Sequence, residues 1–386
     1  MRSVAHRIAQ SYQQGNQMIV VVSAMGDTTD DLMDLAYQVS KNPSAREMDM
    51  LLTAGERISM ALLSMALADE KVPALSLTGS QSGIITDQSH RRARIRRILG
   101  DRVRATLEKN AVAIVGGFQG VSETKEITTL GRGGSDTSAV ALAAALGADA
   151  CEIYTDVDGV YSADPRIVSN AKFLKTIPHD LMVEMATRGA GVLHPRSVEL
   201  AKQYGVPLKV KNSQNQNEGT SVIATTAQER LKRMEEFSVT GVTADRDKLF
   251  LSITLSRSTL LGALWERAAQ AHLSIVSPTF FSGEVRFFSD RDGEMEWRKH
   301  LEDLVSNGFL QSYTIDPDIV PLSVIGDRFS QDGMALQQVV EALARENILV
   351  TLGTASALAI TVGISIDRAE EGVKILHAEF LEEKME

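Results

Sequence analysis

The sequence is short of cysteine, of aromatic residues and of basic charge, and each shortage excludes something. A single cysteine, Cys151, in 386 residues cannot form an internal disulfide, so no cross-linked scaffold is expected and a reducing compartment suits the chain. Lys and Arg number 40 against 50 Asp and Glu, a net charge of -10, which argues against a broad nucleic-acid surface. The one basic run, His90, Arg91, Arg92, Arg94, Arg96 and Arg97, falls on a helix predicted over 91–109 and reads as a solvated, salt-bridged face. No stretch reaches the roughly 18 uncharged apolar residues that a membrane span needs, and no signal-peptide pattern opens the chain. The sequence therefore reads as cytoplasmic, with neither nucleic acid nor membrane as partner. Aromatics are sparse at 5% while apolar content is an ordinary 44%, and the length exceeds one ordinary core, so two or three domains are expected.

What is present centres on Leu130-Gly131-Arg132-Gly133-Gly134-Ser135-Asp136. Three glycines let backbone N–H groups approach an anion. The following run of capping residues and strong helix formers predicts that the loop ends on a helix N-terminus, the end that favours negative charge. Arg132 offers a rigid fork for carboxylate or phosphate, and Asp136 a carboxylate to orient a charged partner. The plainer alternative is a helix entered through a tight glycine turn.

Around this loop the pattern is that of an open α/β sheet. The run at 18–23 predicts a strand buried on both faces, ending in small and hydroxyl residues where Thr28, Thr29 and Asp30 start a helix. A long helix spans 48–69 with Gly55, Glu56 and Arg57 interrupting its stripe; a glycine beside a carboxylate hints at a close approach, although an isolated acid is by default exposed. Strands are expected at 72–78, 111–115 and 150–154, with a hairpin over 121–130. Acids, Tyr161 and Arg166 follow the last of these strands and suit a nucleotide. A calcium loop is excluded there because Val160 and Ile167 stand where oxygen ligands belong, and no metal ligands are assigned. After a charged connector, two consecutive β-α-β-β-α-β units are expected.

The segments Val22 to Asp30, Thr78 to Asp87, Gly117-Phe118-Gln119-Gly120 and Thr128 to Asp136 resemble the aspartate kinase family. The resemblance implies an α/β fold, a three-layer amino-acid kinase domain with a mostly parallel sheet, followed by two ferredoxin-like ACT domains. It places the catalytic domain at 1–224, a linker at 225–236 and the ACT domains at 237–318 and 319–386. It implies ATP-dependent phosphorylation of the aspartate side chain, the first step toward lysine, threonine and methionine, with Mg2+ held largely by ATP phosphates and water. Carried over by position, it implies that Glu56 and Arg132 hold the amino and carboxylate groups of aspartate, and that Thr29, Phe118 and Ser135 line its pocket. Thr155, Asp156, Tyr161 and Arg166 would hold the nucleotide, and Asp136 would organise the reacting centre beside Arg132. The substrate carboxylate is already a nucleophile, so none of the seven histidines needs a catalytic role.

The sequence also departs from the family pattern. The family opens with a Lys-(Phe or Tyr)-Gly-Gly-Thr-Ser segment, expected upstream of Met1, and commonly has a lysine where this chain has Gly191. The turn and Gln-Asn pair of effector-binding ACT domains are replaced by Arg257 to Gly262 and Ser277 to Phe280, so feedback by lysine or threonine is not expected. A homodimer through 237–386 is expected from the apolar strands at 249–255, 320–325 and 358–364. The rival reading is a catalytically weak or inactive aspartokinase-like subunit for ligand binding or assembly.

Overall fold

The computed structural model describes residues 1–224, 237–257, 260–271, 273–329 and 333–382; the connector at 225–236 and the start of the helix expected from Ser258 lie outside them. Two compact units emerge, Met1–Asp158 with Leu193–Ala224, and Gly159–Val192 with Thr225–Glu386. The boundary therefore departs from the expected break after 224, because a segment of the catalytic stretch groups with the C-terminal residues.

In the first unit a strand of alternating faces sets the layers. Val112–Gly116 lies between Ile19–Val22 and Ala74–Leu77, all parallel. Its even residues Val112 and Ile114 meet Ala5, Ile8 and Ala9 of helix Arg2–Gln13 and Met60, Leu63 and Leu67 of helix Ala45–Asp69. Its odd residues Ala113 and Val115 meet Val103 and Leu142, from helices Asp101–Glu108 and Gly134–Leu146 on the opposite face. The period of two along the strand thus gives helix, sheet and helix as three layers. A second sheet orders Ile95–Ile98, Ile84–Thr86, Gln119–Ser122 and Ile127–Thr129, and Cys151–Thr155 pairs in parallel with Leu208–Asn212, which pairs with Thr220–Ile223. The Cys151 thiol is buried, and burial pushes it up to about 12.

Three expectations are corrected here. Ile19–Val22 is only partly buried, because it lies at the edge of its sheet. The predicted 91–109 helix is two elements: Ile95–Ile98 pairs antiparallel with Ile84–Thr86, and Gly100, left-handed at φ 72, starts the helix Asp101–Glu108. Tertiary pairing of two apolar-flanked strands overrides the helix propensity of the arginines, whose Arg96 and Arg97 reach Asp87 and Glu123. Gly55 and Glu56 do not break the buried stripe of the long helix but belong to it, and the helix runs unbroken from Ala45 to Asp69 as expected. That helix has the length and composition of a membrane span, yet it buries Asp49 and Glu56 in the core of its unit.

In the second unit the β-α-β-β-α-β pattern is present but not consecutive. Lys248–Leu255, helix Leu261–Gln270, Val276–Phe281, Glu284–Asp290, helix Glu294–Ser306 and Leu310–Asp316 close one antiparallel sheet. The other sheet combines Ile319–Asp327, Leu352–Ala355 and Ala359–Ser365 with Ser238–Ala244, a strand from before the first sheet begins. One ferredoxin-like element is therefore inserted into the other, which a linear reading of two repeats misses. The apolar strands from which a dimer is expected, Lys248–Leu255, Ile319–Asp327 and Ala359–Ser365, are interior strands, each paired on both sides.

Candidate active site

Small residues let four segments of the first unit crowd together. Ser44 caps the long helix by accepting from the Glu47 N–H, and the 3.6-residue turn aligns Asp49, Thr53 and Glu56 on one buried face. A Cβ on Gly55 would stand 2.7 Å from Ala24 Cβ, so the glycine admits the chain leaving Ile19–Val22. That approach lets the Ala24 N–H donate to Glu56 Oε1 at 3.2 Å, while Oε2 is buried without a partner. At 3% exposure Glu56 is not the solvated acid that is the default for an isolated carboxylate. Burial pushes its carboxyl above the usual range, and backbone N–H groups oppose that rise.

The turn after the central strand meets this carboxylate. A Cβ on Gly116 would lie 3.4 Å from Glu56 Cβ and 3.0 Å from Gln119 Nε2, and that buried amide nitrogen also lacks a partner. A Cβ on Gly117 would lie 2.8 Å from Ser135 Oγ. Phe118 stands at φ 64, a left-handed backbone that costs a non-glycine residue on the order of 1 kcal/mol. Its N–H donates to Ser138 Oγ at 3.2 Å and its carbonyl accepts from the Leu130 N–H at 2.8 Å. Glu56, Phe118 and Ser135 are thus brought together around Gly116 and Gly117. Thr29 occupies the first turn of helix Thr28–Val39, and its neighbour Thr28 reaches the same Gly55. Gln119 belongs to the quoted Gly-Phe-Gln-Gly segment, but its residue type alone gave it no role.

The glycine loop completes the group. Gly131 at φ 81 and Gly133 at φ 63 take backbone that side chains rarely adopt, and a Cβ on Gly133 would stand 2.1 Å from the His194 ring. Gly133 is the N-cap of helix Gly134–Leu146 and no side chain caps it; Ser135 and Asp136 lie in the first turn instead of capping, as the sequence suggests they should. Asp136 accepts from the backbone N–H of His194, and burial pushes its carboxyl up. Arg132 is exposed on the loop. The loop is braced by Arg196, whose guanidinium donates to the Leu130 and Ala93 carbonyls at 2.9 Å each, and whose burial lowers its own pKa. Arg196 carried no motif that would mark it in the sequence.

The expected nucleotide residues divide between the units. Thr155 ends the Cys151–Thr155 strand and donates to Asp156 Oδ1 at 2.9 Å, next to Asp158, whose Oδ1 accepts from the Asn212 and Asn215 amides at 2.7 Å each. Those amides, Asn215 foremost, hold the Asp158 carboxyl below its usual value. In the second unit, Tyr161 bridges to Phe173 with ring centroids 5.3 Å apart, and Arg166 pairs with Asp164. Gly191, where the family commonly has lysine, is left-handed at φ 68, and the nearest atom to a Cβ there would be the Gly189 carbonyl oxygen at 3.9 Å. Among the described residues no group of three His, Cys, Asp or Glu side chains converges on a metal position.

Residues 1–212 match the model of the amino acid kinase family. The chain is 41% identical over 384 residues to an aspartokinase of Geobacillus stearothermophilus, covering 98% of this chain and 93% of that one. In solved structures it resembles E. coli aspartokinase III in complex with aspartate and ADP, with a TM-score of 0.76 and 25% identity over 92% of this chain and 80% of that one. It also resembles the aspartate kinase of Synechocystis, at 36% identity and a TM-score of 0.54 over all of this chain and 67% of that one.

Proposed function

This chain belongs to the aspartokinase family of amino-acid kinases, and on that premise we propose that it phosphorylates the side-chain carboxylate of L-aspartate with ATP at the Glu56, Phe118, Arg132 and Ser135 cluster. The observation that carries the reading is Glu56 Oε2, a buried carboxylate oxygen with no partner. Nature rarely leaves such a group unsatisfied, and the ammonium group of an amino acid supplies both the charge and the donors. Arg132 forks onto the α-carboxylate, while Thr29 and Ser135 offer hydroxyls and Phe118 a wall. With both α-groups held, the side-chain carboxylate is aimed at the N-terminus of Gly134–Leu146, the helix end that favours negative charge.

The reaction then needs placement more than proton transfer. A carboxylate oxygen forms a bond to the γ-phosphorus as the bond from that phosphorus to the bridging oxygen breaks, and ADP leaves with the electron pair. The loose transition state asks the protein for in-line geometry and positive charge, which Arg132 and the helix N-terminus provide, while Asp136 orients the reacting groups. Thr155, Asp156, Tyr161 and Arg166 are assigned to the nucleotide by position in the family. Mg2+, which would neutralise phosphate charge when bound, finds no three-residue protein cage among the described residues and fits as an ion carried by nucleotide phosphates and water. By its place in the family, the reaction is assigned to the entry to lysine, threonine and methionine synthesis, in the cytoplasm.

Incubating the full chain with L-aspartate, ATP, Mg2+ and hydroxylamine is expected to give aspartyl hydroxamate and ADP in equal amounts. ADP release that does not depend on aspartate would overturn the assignment. Aspartate binding without hydroxamate would favour a non-catalytic subunit.

We also propose a homodimer through the inserted ferredoxin-like element. Its Val276–Phe281 strand is a sheet edge, and Phe280 and Phe281 are 52% and 55% exposed there, a combination that invites pairing with a second copy. Light scattering on the full chain should give twice the monomer mass, and Phe280→Glu with Phe281→Glu should halve it. A monomeric parent, or a dimer that survives both charges, would refute the assignment.

A further inference from the structure

The Asp49 carboxylate plays no part in the proposed reaction, although it is completely buried one face-repeat before Glu56 on the same helix. We propose that Asp49 is a positioning residue that fixes the Arg132 loop in register with Glu56. The inference rests on the reading of Glu56 and Arg132 as the two ends of the aspartate site.

Asp49 Oδ1 accepts from Thr129 Oγ1 at 2.6 Å and from the Arg91 N–H at 3.0 Å, and Oδ2 faces His90 Nδ1 at 2.6 Å. Each contact leads to the glycine loop. Thr129 ends the strand Ile127–Thr129, three residues before Arg132, and its carbonyl accepts from the Ala93 N–H at 2.8 Å. The Arg91 carbonyl would stand 2.9 Å from a Cβ on Gly131, so Gly131 is shaped to lie against it. Arg91 itself is held at φ 66, a strained conformation that persists only when its surroundings fix it. Short bonds converging on one fully buried carboxyl group hold their donors firmly in place. One rigid helix therefore carries the amino-group ligand, two turns along from the clamp for the carboxylate ligand. Movement of a positioning group by about 1 Å is enough to cost on the order of 100-fold in a reaction rate.

The test compares Asp49→Asn, Thr129→Val and Thr129→Ser in the full chain, with Arg132→Ala and Glu56→Gln alongside. Aspartate KM is expected to rise at least about tenfold in D49N and about fivefold in T129V, with ATP KM within about twofold of the parent; T129S, which restores the hydroxyl, should return aspartate KM to within about twofold. A purely structural role predicts lower thermal midpoints with both KM values unchanged or raised together, and either pattern would overturn the proposal. Should D49N fail to fold, the T129V and T129S pair decides alone. If R132A and E56Q raise aspartate KM while D49N and T129V do not, the positioning role fails and the site reading stands. If R132A and E56Q also leave it unchanged, the site reading fails first.

Discussion

Arg132→Ala is expected to raise aspartate KM by about 100-fold or more while the thermal midpoint stays within about 2 °C of the parent. The asymmetry follows from where the side chain sits. Arg132 is exposed on a loop whose shape is fixed by others: by the left-handed Gly131 and Gly133, by the Leu130 N–H bond to the Phe118 carbonyl, and by Arg196 donating to the Leu130 carbonyl. Replacing an exposed loop side chain typically changes stability by about 0.5 kcal/mol, whereas a bidentate charge-assisted pair with a carboxylate is worth about 2–5 kcal/mol once the bound substrate excludes water. Each 1.4 kcal/mol is about tenfold, which gives the expected change. Arg132→Lys keeps the charge and loses the fork, so it should recover only part of the loss. Titration calorimetry with L-aspartate measures both variants, and an R132A chain that binds aspartate like the parent would show that the loop holds something else.

What the sequence reveals of this site divides along a physical line. The glycine loop was legible because positive φ and close backbone approach demand glycine, so Gly131, Gly133 and Gly134 announce their geometry in their identity. Gly55 was legible in the same way, as a gap beside a carboxylate, and the structure identifies what fills that gap as Ala24. The three parallel strands were legible as the aliphatic runs expected at 18–23, 72–78 and 111–115, which the structure forms at 19–22, 74–77 and 112–116, while the three layers were implied by the family resemblance. Asp49 and Arg196 were not legible. Their importance lies in partners 40 or more positions away, Thr129 and Ala93 among them, and a lone acid on a helix or an arginine after a proline carries no local mark of burial. The nesting of the two ferredoxin-like elements was hidden for a related reason. Ser238–Ala244 has the composition of any half-buried strand, and only its pairing with Ile319–Asp327 shows which sheet it completes. The 91–109 segment shows the converse error, since arginines favour a helix in isolation while Ile95 and Ile98 find a strand partner in Ile84–Thr86.

The second large effect is expected at Glu56, where activity and stability should move in opposite directions. Glu56→Gln removes the charge that would meet the substrate ammonium, in a site where 3% of the residue is exposed, and aspartate KM should rise by about 100-fold or more. In the free protein the same carboxylate is held mainly against desolvation, the first cause of its raised pKa, with one oxygen satisfied by Ala24 and the other by nothing. A carboxyl whose folded pKa lies above its unfolded value favours the folded state fully at pH below the unfolded value, and that contribution is lost as pH rises through the folded value. Wherever it is ionised, the side chain is therefore a net cost to folding, and an isosteric neutral amide relieves it. E56Q without ligand should melt at the parent temperature or about 2–4 °C above it at pH 7.5, an expected gain of about 1 kcal/mol, and the difference should shrink as pH falls and the parent carboxyl protonates. The same titration governs binding with the opposite sense: aspartate affinity of the parent should fall as pH drops through the raised Glu56 pKa, and E56Q should lack that part of the pH dependence. Thermal melts and calorimetry at matched pH separate the two effects. A Glu56→Gln chain that binds aspartate normally, or that melts well below the parent at pH 7.5, would mean that the unpartnered oxygen serves the fold and not the substrate.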